Sequence, residues 1–145
     1  MFTGTSIPHD ALPEERARTV QARVRMIERG GYGFGDRAAA LLGSAASGDT
    51  LALVQQTLRA TNPAGFMQAA RFIARAEMPP LAAGLTMRLL IVQGEEDRVA
   101  PAATNAELLA AALPHARLVM LAGCGHLPEV EFPSRVNDLI AAHLS

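Results

Sequence analysis

A chain of 145 residues, half of them apolar, is long enough to bury one real core, built largely from alanine and leucine with 4% aromatics and no tryptophan. A formal net charge of −1 gives no electrostatic case for nucleic acid or an anionic membrane. One cysteine, Cys124, excludes an intrachain disulfide, and it forms no ligand-spaced cluster with the four histidines, so no metal site is expected.

The first thirty residues hold no apolar run of signal-peptide length, and no stretch approaches the roughly 20 apolar residues of a membrane span. A cytoplasmic protein is expected. Pro13 opens the first predicted helix, with Glu14 and Glu15 at the positive end of its dipole. Ala17, Val20, Val24 and Ile27 form its apolar stripe, and Gly30-Gly31 stops it. Arg16, Arg18, Arg23, Arg25 and Arg29 interleave with Glu14, Glu15 and Glu28, which reads as a solvated face rather than an anion-binding patch.

A shorter helix is predicted over 36–42, ended by Gly43. Asp49 then caps a third, with Leu51, Val54 and Leu58 inward. Asn62-Pro63 restarts the chain as cap and first residue, and Phe66, Ala70 and Ile73 supply the next stripe. Short amphipathic helices without an intervening strand must rest on something else.

Beyond Pro79-Pro80 the pattern changes to strand, helix, strand, helix. The run 89–92 (Leu-Leu-Ile-Val) suits a parallel strand covered on both faces. A helix follows over 102–113, then a second buried strand over 118–121. A last helix spans 133–144, with Val136, Leu139, Ile140 and Leu144 inward. Strands joined by helical crossovers indicate a parallel α/β sheet, to which residues 1–5 would add a third strand.

The residues with chemical potential lie in the loops that follow the two strands, where open α/β sheets place their ligands. The first holds Gly94-Glu95-Glu96-Asp97 and Pro101; the second holds Gly123-Cys124-Gly125-His126, Glu131 and Pro133. A carboxylate at one strand end can accept the Nδ1–H of an imidazole at the next and stabilise the imidazolium formed on proton transfer. Asp97 and His126 are therefore the candidate acid and base. Glu95 and Glu96 adjoin Asp97, and either could be mistaken for the acid. Glu131 reads as support for its loop, Cys124 as a packing residue, and His9, His115 and His143 as surface residues.

The Gly-x-x-Asp-x-x-x-Pro stretch (Gly94, Asp97, Pro101) resembles the acid loop after the seventh strand of α/β-hydrolases. The Gly-x-Gly-His-x-x-x-x-Glu-x-Pro stretch (Gly123, Gly125, His126, Glu131, Pro133) resembles that family's histidine loop, in the family's order of acid before histidine. Met87 departs from the proline many relatives carry there. The resemblance covers essentially the whole chain and implies the C-terminal part of an α/β-hydrolase fold plus an all-helical cap. Residues 1–6 would be a remnant of the sixth core strand, 7–82 the cap, and 83–145 the core segment with both loops. Asn62-Pro63-Ala64-Gly65-Phe66 is similar to a stretch of the enol-lactonase and small carboxylesterase branch.

That resemblance implies a Ser-His-Asp triad acting on a small carboxylic ester or enol-lactone, without cofactor. Phe66, Met67 and Phe72 would line an apolar substrate pocket. The family's Gly-x-Ser-x-Gly elbow is absent from this sequence, since Ser6, Ser44 and Ser47 lack the flanking glycines. The nucleophile is therefore expected outside the chain, which alone would be inactive. An aspartate nucleophile would point instead to epoxides or halides. The competing expectation is a truncated, non-catalytic module whose open strand edge binds a complementing N-terminal half or a second copy.

Overall fold

The computed structural model describes residues 2–3, 18, 21–22, 24–25, 34–75 and 84–145. Among the described residues the sheet has three parallel strands, β1 (Phe2–Thr3), β2 (Leu89–Gly94) and β3 (Ala116–Leu121), in the order β1-β2-β3. The third strand expected near the start is present. Phe2 pairs with Ile91, and the β2–β3 register runs from Leu89 opposite Ala116 to Gly94 opposite Leu121.

Every residue of β2 is buried, as its continuous apolar run requires of a strand with neighbours on both sides. Alternation along the strand divides the core into two layers. Leu89 and Ile91 point to one face and pack with Ala106, Leu109 and Leu113 of helix α4 (Ala106–Ala112) and its end. Leu90 and Val92 point to the other, against Leu121, Cys124, and Val136 and Leu139 of helix α6 (Pro133–Leu144). Each large apolar side chain so buried stabilises the fold by about 1.5–3 kcal/mol.

Upstream lie α1 (Phe34–Leu41), α2 (Gly48–Arg59) and α3 (Pro63–Arg75), with Ala38 and Val54 buried in α1 and α2. Helical residues also occur at 18, 21–22 and 24–25, while the rest of the first predicted helix, and His9, lie outside the described residues. No described helix is long and apolar enough to cross a membrane.

Several expectations need correction. The cap of α2 is Ser47, whose side chain accepts the Thr50 N–H, because the helix begins at Gly48 and so takes Asp49 into its first turn. The helix predicted over 102–113 is broken. A 3-10 turn over Ala102–Thr104 precedes α4, and the Asn105 side chain bonds back to Pro101 O at 3.0 Å, which favours the turn over a continuous helix. Leu144 is 74% exposed, because the apolar stripe of α6 runs on past the part that packs on the sheet. A four-residue helix, α5 (Pro128–Glu131), was not foreseen.

Candidate functional site

The chain turns sharply after β2, and the Asp97 carboxylate holds that turn in place. Asp97 Oδ1 accepts the N–H groups of Val99 (2.9 Å) and Ala100 (2.8 Å), the short-range bonding that aspartate offers a turn. Oδ2 accepts Gln93 Nε2 at 2.9 Å and faces His126 Nδ1 at 2.9 Å. An ionised carboxylate has no proton to give, so His126 Nδ1 is the donor and Nε2 is left as the ring's acceptor. The sequence candidates Asp97 and His126 thus meet, 29 positions apart in the chain. Glu95 is exposed, and Glu96 turns away to bind the Ser44 N–H and hydroxyl at 2.7 and 2.6 Å.

Burial by itself would raise the Asp97 pKa. The hydrogen bonds from His126 and the Ala100 N–H, the imidazolium charge and the Gln93 amide outweigh that and bring it below the ordinary aspartate value. A folded pKa below the unfolded one stabilises the fold fully above the unfolded value, about 3.9, and loses that contribution as pH falls through the folded value. Urea unfolding between about pH 2 and 6 is therefore expected to show an acid loss of stability that is shallower in Asp97→Asn. An unchanged acid slope in that variant would contradict the assignment of charge to Asp97.

The histidine loop is held by its own short helix. α5 carries Glu131 back under the loop, where its carboxylate accepts Gly125 N with both oxygens at 3.0 Å and Leu127 N at 3.1 Å. Glu131 supports its loop, as expected. Gly123 adopts φ +71°, a left-handed turn that favours glycine. Cys124 is buried, and burial together with the Glu131 charge pushes its thiol up to about 12, so it stays protonated and unreactive at neutral pH. His115 is exposed, and His143 lies within 3.3 Å of the Arg88 carbonyl.

The sequence reading missed three partners. Gln93, the residue before the acid loop, is buried and braces Asp97. A glutamine closing an apolar strand was the available signal, since a buried amide must find partners. The Leu41 carbonyl accepts His126 N at 2.7 Å, and Gly43 N donates to Glu131 at 2.7 Å. Backbone groups carry no residue-type signature, so nothing in the sequence marked them.

Of the expected pocket residues, Phe66 and Met67 are half-buried while Phe72 is 74% exposed. Five and six residues further along α3, at about 100° each, turn Phe72 away from the face that Phe66 and Met67 share. Among the described residues, no group of three histidine, cysteine, aspartate or glutamate side chains is placed to hold a metal ion.

The model of a family described as the alpha/beta hydrolase family matches residues 3–139. In structure the chain is similar to a thermophilic esterase from Thermogutta terrifontis, at 25% identity and a TM-score of 0.79, over 96% of this chain and 52% of that one. It is similar to a bromoperoxidase from Bacillus anthracis (12% identity, TM-score 0.78, 93% of this chain and 52% of that one). It is similar also to the enol-lactonase from Burkholderia xenovorans LB400 (21%, 0.73, 88% and 50%). The chain thus spans about half the length of these solved structures. No curated protein matches it in sequence.

Proposed function

The chain belongs to the alpha/beta hydrolase family, with the parallel strands and helices of the C-terminal part of that fold, and on that footing we propose that it serves a hydrolase of carboxylic esters or enol-lactones. The observation that carries the reading is the Asp97–His126 hydrogen bond at 2.9 Å through Nδ1, which leaves Nε2 to act as a base. In this proposal Nε2 takes the proton of a serine hydroxyl as that oxygen attacks the substrate carbonyl. Asp97 stabilises the imidazolium, which then protonates the leaving oxygen; the same base later activates water. Residues 1–6 act as the remnant of the sixth core strand, 7–82 as the cap and 83–145 as the core segment, and Phe66 and Met67 face the substrate.

The serine is proposed to come from outside these 145 residues, in a Gly-x-Ser-x-Gly elbow that this sequence lacks. Ser44 is a poor substitute, because its hydroxyl and N–H are both engaged by Glu96. The esterase and enol-lactonase likenesses support the ester or lactone class.

Treating the full-length protein with a serine-directed fluorophosphonate and mapping the modified peptide tests this. The label is expected on an elbow serine beyond the sequence given. Label on Ser44 or Ser47, or ester turnover that persists without any label, would sink the proposal. A second reading draws on the sheet's edge: β1 has one strand neighbour, β2, among the described residues. Such an edge pairs readily with another chain. Absence of both label and turnover would favour that reading, a module that binds a complementing half or a second copy.

A further inference from the structure

Three consecutive backbone N–H groups pass through the histidine, and each is held. Gly125 N and Leu127 N donate to the Glu131 carboxylate, at 3.0 and 3.1 Å, and His126 N donates to Leu41 O at 2.7 Å. The same carboxylate accepts Gly43 N at 2.7 Å. One side chain therefore grips both the histidine loop and the connector that leaves α1.

The junction has no slack. A Cβ on Gly125 would lie 2.6 Å from Gly43 N, Leu41 O and Leu42 C, and one on Gly43 would lie 2.6 Å from Gly125 N and Cys124 C. Two further ties run in parallel, Ala45 N to Gly123 O at 3.1 Å and Ser44 to the Glu96 carboxylate. The connector is thus docked on both strand-end loops at once. A glutamate that merely stiffened its own loop would have no bond to Gly43.

We propose that Glu131 is a positioning residue for His126, and that its shared hold on Gly43 makes the setting of the imidazole against Asp97 depend on docking of the 41–45 connector. The proposal rests on His126 being the base. A shift of α1 and its connector moves Leu41 O and Gly43 N together, and both pull on the backbone that carries the imidazole. Substrate contacts with the helical part would then reach the base without touching it.

The test uses the full-length protein, with three readouts: amide hydrogen exchange at Gly43 and 125–127, the downfield Nδ1 proton signal of His126, and steady-state kinetics on an ester. In Glu131→Gln the amide group turns N–H toward N–H. Exchange at these amides is expected to quicken about ten- to a hundredfold, the factor that matches losing one charge-assisted hydrogen bond. The Nδ1 proton signal should broaden or vanish, and kcat should fall more than KM rises. Gly43→Ala strikes the same junction from the connector and leaves the carboxylate intact; it should give the same proton signature.

Faster exchange with an unchanged Nδ1 signal in Glu131→Gln would overturn the coupling and leave Glu131 as a staple. If that variant does not fold, an unchanged signal in Gly43→Ala overturns the proposal in the same way. The proton signal is read without turnover. It therefore decides the coupling even where His126→Ala retains activity and the hydrolase reading itself fails.

Discussion

Replacing His126 by alanine in the full-length protein is expected to lower kcat by about four to six orders of magnitude, with little change in KM. The size follows from what the ring does in the proposed reaction. It takes the serine proton, carries positive charge beside Asp97 and returns the proton to the leaving group, so no other group inherits the step. Folding should survive the change. The ring is 15% exposed, and without it Asp97 still accepts Gln93, Val99 and Ala100. Steady-state kinetics on a small ester, paired with a thermal melt, separates the two effects. A fall of only a few-fold in a well-folded variant would remove His126 from the chemistry.

Gly94→Ala is expected to destabilise the fold by about 3 kcal/mol or more and to separate the two strand-end loops. The added Cβ would fall on the carbonyl oxygens of Gly125 and Cys124, with Cys124 C at 2.7 Å. These are backbone atoms, and they cannot swing aside as a flexible side chain would. Nor can the two loops part easily, since Glu95 N bonds Leu121 O at 3.0 Å and Glu96 N bonds Cys124 O at 2.8 Å. Gly48 is the natural control: a Cβ there meets nothing within 4 Å, and in helix α2 alanine should be neutral or stabilising by about 0.5–1 kcal/mol. Urea unfolding of both variants makes the comparison. A Gly94→Ala protein within about 1 kcal/mol of the parent would mean that the close approach has room to relax.

What the sequence made legible follows from which interactions leave a mark on residue type. The run 89–92 announced a central strand because burial on both faces permits only apolar side chains there. Asp97 and His126 stood out because tight turns need glycines, and the glycines framed them. The strand's continuation through Gln93 left a weaker mark, one polar residue whose amide is satisfied by Asp97 and by the carbonyls of Gly94 and Ala100. Ser47 and Asp49 are both good caps, and only the helix's real starting point chooses between them. α5 spans four residues, too few for any periodicity. The connector after α1 was opaque for a different reason: Leu41, Gly43 and Ala45 all bond through backbone atoms.

The hydrogen bond between Gly43 and Glu131 joins residues 88 positions apart, and this bears on the order of events in folding. Closing so long a loop costs chain entropy that a single bond can offset only after both ends are already built. Strands β2 and β3 pair across a much shorter stretch of chain and α6 packs on them, so they can form first, whereas the ties of the 41–45 connector reach only to Glu96, Gly123, His126 and Glu131. The junction therefore forms on the native side of the folding barrier, where weakening it accelerates unfolding and leaves the folding rate almost untouched. The proposed site is then completed after β2, β3 and α6 are in place, and its connector can open while those elements stay whole.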